Sequence, residues 1–571
     1  MNHREPLPRA LMLLIALIQG LCLLLLHQAI ELKHWPHNAP QWLFALYSLV
    51  FIWPVMLLLN LAAGNTRAVV AHTLPFALLA GLLGYYAGSQ TIPLEHIHYH
   101  SLLASYVLTM TVATFMVLIY TQPLIAKTQI HYRTLFRLSW RYFLTLALAL
   151  LFALGFWLIL MLWGALFRAI GIDFFKWLFN TPWFYYPITA LASGIGIIIF
   201  RNQSHVIDTI VRLQQALMTF LLVLLVVVSL LFLAALPFTG LQPLWKSGGS
   251  ALILWMQALM LFFVNAVYQD DREQRPYPLW LHRFISLGIA VLPVYSAIAF
   301  YGLSQRVQQY GWSLDRCWAF LIWFLLALFP LGYWWGIATR RDGWVRQLDR
   351  VNIGVGILVL GAMLLVNSPL LDFRRIVVGN QLQRLTDGRL DIADLDIAYF
   401  RWQLARAGYE ALQAIKEQYG ETEPGVVVRI DELYRDPTHA SPSVTVESFQ
   451  SLVQVVGDEP PLALWEAIHQ QEQSRLAYTR QYYLLPVDLD EDGQDEYLLA
   501  AELRYQLNLN LYYLDGQQWD FAAMTSLYPR QDEDLAAFIQ ALKNGQIELI
   551  RPRWHDIQIQ GKRSRVETEP H

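Results

Sequence analysis

The stretch VNIGVGILVLGAMLLVNSPLL, from Val351 to Leu371, is followed at once by the polar stretch DFRRIVVGNQLQRL, which begins at Asp372. Before this junction the chain is almost continuously hydrophobic, and after it the composition is that of a water-soluble domain. Lys+Arg minus Asp+Glu is 22 − 11 = +11 for residues 1–371 and 19 − 33 = −14 for residues 372–571. We therefore predict a multi-span transmembrane domain over 1–371 and a soluble domain over 372–571.

The first domain contains stretches long enough to cross a membrane, since a helix needs about 20 mostly apolar residues to span a bilayer core. Eleven stretches qualify, of which the sixth is the shortest and weakest. The predicted fold class is an all-α polytopic membrane bundle of about 11 transmembrane helices. The stretches lie near residues 10–30, 41–63, 73–92, 101–124, 142–167, 184–200, 213–236, 250–268, 284–304, 317–338 and 351–371.

The distribution of basic residues predicts the orientation, because cytoplasmic loops retain Lys and Arg whereas short translocated loops avoid them. With a cytoplasmic N-terminus, 16 basic residues of the first domain lie inside and 6 lie outside. An odd number of spans then places the C-terminal domain outside the cytoplasm. The gain or loss of one span would reverse that placement.

The predicted spans carry essentially no ionisable residue at mid-membrane depth, where such residues mark transport paths. This disfavours a transporter. Gly84 and Gly88 form a G-x-x-x-G step, which lets two helices approach closely. Four polar residues of the spans are neutral, and we predict that they hydrogen-bond to neighbouring helices: Asn60, Gln257, Asn265 and Asn367.

Two predicted outer loops are rich in histidine. One interpretation is a soft divalent metal site, since alternate residues of an extended segment point the same way and Glu95 could assist. The other is a set of interfacial residues that cap the spans. The histidines are His34 and His37 in the first loop and His96, His98 and His100 in the second.

The C-terminal domain is predicted to be α+β. Residues 372–420 have helical spacing, and further helices are expected near 460–475 and 531–543. The predicted strands are Val426 to Ile430, Tyr482 to Val487, Tyr497 to Ala501, Leu509 to Leu514 and Ile547 to Ile550.

The sharpest motif of the chain, DLDEDGQDE over residues 488–496, lies between two of those strands. Oxygen ligands at alternate positions, a glycine at the sixth and an acidic residue at the ninth suit Ca²⁺. Asp488, Asp490 and Asp492 would be side-chain ligands. Gln494 would offer its backbone carbonyl, and Glu496 would bind directly or through water. The alternative is an acidic turn that binds nothing, although six acidic side chains this close repel one another without a cation.

This loop resembles the calcium hairpins of FG-GAP and integrin-type repeats, from which it departs by having Glu at the ninth position and by occurring only once. A second resemblance covers most of the chain. Four runs after the last span resemble the domain-of-unknown-function 4153 family, which implies a bacterial plasma (inner) membrane protein and supplies no activity. The runs are Asn380 to Leu385, Asp387 to Arg389, Asp396 to Arg401 and Ala407 to Leu412.

Three functions are compatible with the sequence. The first is a non-enzymatic envelope protein that senses, docks or scaffolds a protein or glycan partner, with a calcium-stabilised outer domain. The second is a membrane-embedded transferase for a lipid-linked substrate, although such enzymes place an acidic pair in their first outer loops and this chain has only Glu31 and Glu95, singly. The third is a transporter. We expect a bilayer protein that binds no nucleic acid, and a lipid-sized groove leading to Glu31 and Glu95 would favour the second function.

Overall fold

A computed structural model describes most of the chain. The described residues are 7–246, 249–268, 276–434, 445–457, 459–472, 475–476, 479–503, 506–528, 532–544, 546, 557–559 and 562–564.

Helices make up most of the described residues of the first part of the chain, and a 3₁₀ turn lies at Arg341–Gly343. They are α1 (Arg9–Glu31), α2 (Pro40–Asn60), α3 (Thr66–Ser89), α4 (His100–Ile125), α5 (Tyr132–Ala169), α6 (Phe174–Asn180), α7 (Pro182–Asn202), α8 (Ser204–Thr239), α9 (Gln242–Lys246), α10 (Ser250–Val267), α11 (Leu279–Ala290), α12 (Leu292–Tyr310), α13 (Leu314–Arg340) and α14 (Val345–Leu365).

The polytopic helical bundle predicted from the sequence is confirmed. Within the described residues, ten helices are long and apolar enough to cross a membrane, and α11 and α12 together form one of them. The sixth predicted span is among the ten, as α7 with 21 residues. The segment that falls short is α10, whose 18 residues extend about 27 Å against a hydrocarbon core of about 30 Å.

The chain forms two compact units. The first, called here the membrane unit, comprises Met1–Asp387 and Trp402–Tyr409. The second, the C-terminal unit, comprises Gly388–Arg401 and Glu410–His571. The helices that follow α14 are α15 (Phe373–Thr386), α16 (Ile397–Gln403), α17 (Ala405–Tyr419), α18 (Pro424–Tyr434), α19 (Val446–Gln450), α20 (Leu462–Glu472) and α21 (Asp532–Lys543).

Small residues on α3 bring it against α2, as the G-x-x-x-G step predicts. A Cβ on Gly88 would lie 2.5 Å from the Pro40 carbonyl oxygen, and a Cβ on Gly84 would lie 2.8 Å from the Phe44 carbonyl oxygen. Only hydrogen atoms fit in these spaces. The glycines therefore serve the close packing of two antiparallel helices.

Polar side chains in the spans hydrogen-bond between helices. The Asn265 side-chain oxygen accepts from the Tyr333 hydroxyl at 2.7 Å and from the Asn352 amide at 2.8 Å. Gln257 donates to the Ser296 hydroxyl at 2.9 Å. Asn60 and Asn367 likewise pair with Tyr142 and Thr109. The interhelical role predicted for all four residues is confirmed.

The C-terminal unit contains a five-stranded sheet in the order β1-β2-β3-β4-β5, in which β1 is parallel to β2 and the other neighbours are antiparallel. The pair β6 and β7 forms a separate hairpin. The strands are β1 (Val453–Val455), β2 (Gln481–Val487), β3 (Glu496–Glu502), β4 (Leu507–Asp515), β5 (Gln518–Leu527), β6 (Ile557–Ile559) and β7 (Lys562–Ser564).

Both faces of the sheet are buried in its central strands β2 and β3, whereas β5 is largely exposed. Alternate residues of a strand point to opposite faces, and Tyr482 packs with Trp465 of α20 whereas Tyr483 packs with Leu542 of α21. Burial on both faces explains why β2 is a continuous apolar run rather than an alternating one.

One strand prediction was wrong. Val426 to Ile430 lies inside α18, where Val426, Arg429, Ile430 and Leu433 are buried. This i, i+3, i+4, i+7 pattern is helical. Pro424 begins the helix, and the fixed φ angle of proline suits the first turn of a helix. The three β-branched valines favour a strand by composition alone, and the spacing of the buried residues overrides that preference. The predicted strand Ile547 to Ile550 lies outside the described residues.

Candidate functional site

The acidic motif forms the loop between β2 and β3. Val487 and Glu496 are the last paired residues of the two antiparallel strands, so residues 488–495 are the connection. Glu491 and Gly493 have positive φ angles of 64° and 85°, and these two left-handed residues turn the chain back within the loop. The strands hold both ends of the loop at a fixed separation.

Three of the predicted ligands come together. Asp488, Asp490 and Glu496 each bring one carboxylate oxygen within 4.8 Å of the others. Two oxygens bound to the same Ca²⁺ at about 2.3 to 2.6 Å can be at most about 5 Å apart. The spacing therefore fits one shared calcium ion.

Backbone amides organise these carboxylates. The Asp488 oxygens accept from the amides of Asp492 and Gly493, both at 3.1 Å, and an Asp490 oxygen accepts from the Asp492 amide at 3.2 Å. Glu496 accepts from the Leu489 amide at 2.7 Å. Since an ionised carboxylate has about four lone-pair positions, these bonds fix the side chains and leave lone pairs for a cation.

The other two predicted ligands are not part of the carboxylate cluster. The Asp492 side chain accepts from the Gln494 amide at 2.7 Å, and both residues are exposed. Asp492 thus stabilises the turn in this conformation. Assignment of Asp492 and of the Gln494 carbonyl as ligands stays a prediction.

The outer-loop histidines lie against aromatic rings of the membrane unit. His98 contacts Trp402 with ring centroids 3.8 Å apart, and His96 stacks on Tyr409 at 5.6 Å with the planes 10° apart. His100 stacks on the adjacent Tyr99. Within the described residues no histidine belongs to a cluster that could hold a metal. This arrangement agrees with the interfacial interpretation.

A second candidate site is a groove between α2 and α4, with a volume of about 810 Å³. At one end it is lined by Ile30 and Leu94, which directly precede Glu31 and Glu95 in the sequence. A Glu31 carboxylate oxygen lies 3.2 Å from the His27 Nε2 atom. We call this cavity the α2–α4 groove.

Glu472 is a buried carboxylate that the sequence analysis did not identify. It is fully buried, and its oxygens accept from the Asn510 amide at 2.7 Å and the Tyr482 hydroxyl at 3.5 Å. Burial raises the pKa of the Glu472 carboxyl, and the Arg475 guanidinium 3.5 Å away opposes that rise. The Glu472 site joins the end of α20 to β4. Its position at the end of an amphipathic helix gave no signal in the sequence.

Comparison with known proteins identifies the family. The model of a family described as "Domain of unknown function (DUF4153)" matches residues 10–416, which are 407 of the 571 residues. The chain belongs to the DUF4153 family. No curated protein and no solved structure matches the chain.

The DUF4153 match covers all ten spans except Arg9 of the first, covers the α2–α4 groove, and ends before the β2–β3 loop. The family match therefore gives no support to the resemblance of that loop to FG-GAP hairpins, which stays a prediction. The apolar helices of this DUF4153 protein make it a multi-pass membrane protein.

Proposed function

We propose that this DUF4153 protein is a non-enzymatic protein of the bacterial inner membrane whose C-terminal unit faces outward, is stabilised by Ca²⁺, and docks an envelope protein or glycan. The observation that carries the proposal is the cluster formed by Asp488, Asp490 and Glu496. Hard cations prefer such all-oxygen sites. The cluster is held by backbone amides on a rigid hairpin, as a preorganised metal site requires.

The orientation rests on charge. With a cytoplasmic N-terminus, 16 basic residues of the first domain lie inside and only 6 lie outside, which favours that orientation. Eleven spans then require α10 to cross the membrane together with the ten longer helices. Its shortfall of about 3 Å is within what local thinning of a bilayer accommodates. Calcium sites of extracellular modules bind at about 10⁻⁴ to 10⁻³ M, a range suited to a domain outside the cytoplasm.

Hydrogen–deuterium exchange on the full-length protein in detergent tests the calcium proposal. We expect millimolar Ca²⁺ to slow exchange in residues 488–496 and in the adjoining ends of β2 and β3, with a smaller effect of Mg²⁺. The double variant Asp488→Asn, Asp490→Asn should lose the response. Asp495→Asn is the matched control, because Asp495 is an exposed residue of the same loop outside the carboxylate cluster. Equal responses in both variants would refute the site.

One observation favours the transferase as a second candidate. Ile30 and Leu94 line the α2–α4 groove, and they are the sequence neighbours of Glu31 and Glu95, the two acidic residues of the first outer loops. The variants Glu31→Gln and Glu95→Gln test it through the profile of envelope glycans. A changed profile would support transfer to or from a lipid-linked substrate, whereas an unchanged profile in both variants would remove the candidate.

A further inference from the structure

The α2–α4 groove is long. Its lining extends along α2 from Pro40 to Val55 and along α4 from Leu103 to Leu118. Each wall covers 15 residue steps, or about 22 Å at 1.5 Å per residue. The groove therefore extends through most of the hydrocarbon core, which is about 30 Å thick.

The surface of the groove is hydrocarbon-like. The buried Ser48 and Tyr106 hydroxyls of its lining are bonded to the protein, since they lie 2.7 Å apart and Tyr106 also donates to the Ala80 carbonyl at 3.2 Å. Thr111 and Thr114 donate to carbonyls of their own helix. The floor thus offers an occupant apolar contacts rather than unpaired hydrogen-bonding groups.

The mouth of the groove opens sideways on the bundle. Phe51 and Val107 line it and are 53% and 54% exposed. They belong to two of the candidate spans, and exposed residues of spans at this depth face lipid chains. An occupant can therefore enter from the bilayer without crossing water.

The two ends of the groove differ. One end reaches His37, Thr91 and Tyr99, which belong to the loops before α2 and α4. The other closes at Val55 and Leu118, five and seven residues before the ends of their helices, or about 8 and 10 Å inside the helix ends. A molecule with a polar head and a long apolar tail matches this asymmetry.

We propose that the α2–α4 groove binds one acyl chain of a membrane phospholipid, with the head group at the loops that carry His37 and Tyr99 and the chain end near Val55 and Leu118. A volume of about 810 Å³ lies within the range of about 300 to 1,000 Å³ typical of ligand sites. The proposal is independent of calcium binding. Asp488→Asn with Asp490→Asn should leave lipid binding unchanged.

Native mass spectrometry of the full-length protein in detergent tests the proposal, with phosphatidylglycerol as the probe. We expect one retained lipid per chain. Val107→Trp should reduce retention of the lipid about tenfold, because the indole would fill part of the space that the acyl chain occupies. The expected cost is similar to that of overpacking a protein core. Leu108→Trp is the matched control, since Leu108 is the next residue of α4, is 67% exposed and is not part of the lining.

A second measurement needs no variant. Phosphatidylglycerol carrying a photoreactive group near the head of one chain should label α2 and α4 near Pro40 and Leu103, and a group at the chain end should label them near Val55 and Leu118. Labelling spread evenly over all the spans would overturn the proposal. Equal retention of lipid by a monodisperse Val107→Trp protein and by wild type would also overturn it.

Discussion

The backbone amide of Leu489 donates a 2.7 Å hydrogen bond to the carboxylate of Glu496. The bond spans the β2–β3 loop and places the ninth residue of the motif beside Asp488 and Asp490. The same side chain thus closes the loop and supplies one of the three clustered carboxylates. These two roles can be separated by mutation.

Glu496→Ala should destabilise the C-terminal unit by about 1 kcal/mol in chelator, the net value of one hydrogen bond, and should abolish calcium binding. Glu496→Gln should keep the bond from Leu489 and lose most of the calcium affinity. Denaturant unfolding with and without Ca²⁺ measures both effects. If Glu496→Gln responded to calcium as wild type does, Glu496 would not be a ligand.

Glu472 should make stability depend on pH. Burial raises the pKa of the Glu472 carboxyl in the folded state above the ordinary value of 4.5. The stabilisation that protonated Glu472 gives the folded state is therefore fully present below about pH 4.5 and falls as the pH rises through the raised pKa. Glu472→Gln keeps an acceptor for Asn510 and removes the buried charge. We therefore expect the variant to gain stability relative to wild type as the pH rises from 4.5 to 8.

Unfolding curves across that pH range provide the test. Glu466→Gln is the control, because Glu466 is an exposed carboxylate of the same helix. A Glu472→Gln variant whose stability relative to wild type falls with rising pH would contradict the burial argument.

Gly88→Ala should destabilise the membrane unit by about 1 to 3 kcal/mol, the usual range for overpacking. The added methyl would lie 2.5 Å from the Pro40 carbonyl oxygen, so α2 and α3 must separate. Gly155→Ala on α5 meets nothing within 4 Å and should be neutral or slightly stabilising. Thermal aggregation of the two variants in detergent distinguishes these outcomes, and equal midpoints would contradict the packing role.

The C-terminus should lie outside the cytoplasm. A periplasm-dependent phosphatase fused after His571 should be active, and a reporter that requires the cytoplasm should be inactive. The reverse pattern would show that an even number of helices crosses the membrane, as when α10 does not span. It would also remove the C-terminal unit from a calcium-rich compartment.

The membrane bundle could be predicted from the sequence because a span is a local property of about 20 residues. The carboxylate cluster was equally local, since all its members lie within nine residues. The strand β5 was missed although Gly516 and Gln517 form a two-residue connection after Asp515, a recognisable hairpin signal. The three valines of α18 favour a strand by their β-branched composition, but the helical period of the buried residues decides the structure.

Other features could not be predicted because they depend on packing between distant segments. Glu472 meets Asn510 across 38 residues, and nothing in either neighbourhood indicates the pairing. The α2–α4 groove is a space between two helices whose sequences look like ordinary spans. The contact of His98 with Trp402 joins residues more than 300 positions apart.

The most direct test of the calcium site is the melting temperature of the fragment 388–571, which contains the whole C-terminal unit, with 10 mM Ca²⁺ and with chelator. This Ca²⁺ concentration is about 10 to 100 times the expected Kd, so the ion should add about 1.4 to 2.7 kcal/mol to the free energy of unfolding. This corresponds to a rise of about 3 to 10 °C for a domain of this size. We predict that rise in wild type and its absence after Asp488→Asn with Asp490→Asn. A folded wild-type fragment whose melting temperature is the same in calcium and in chelator would contradict the account.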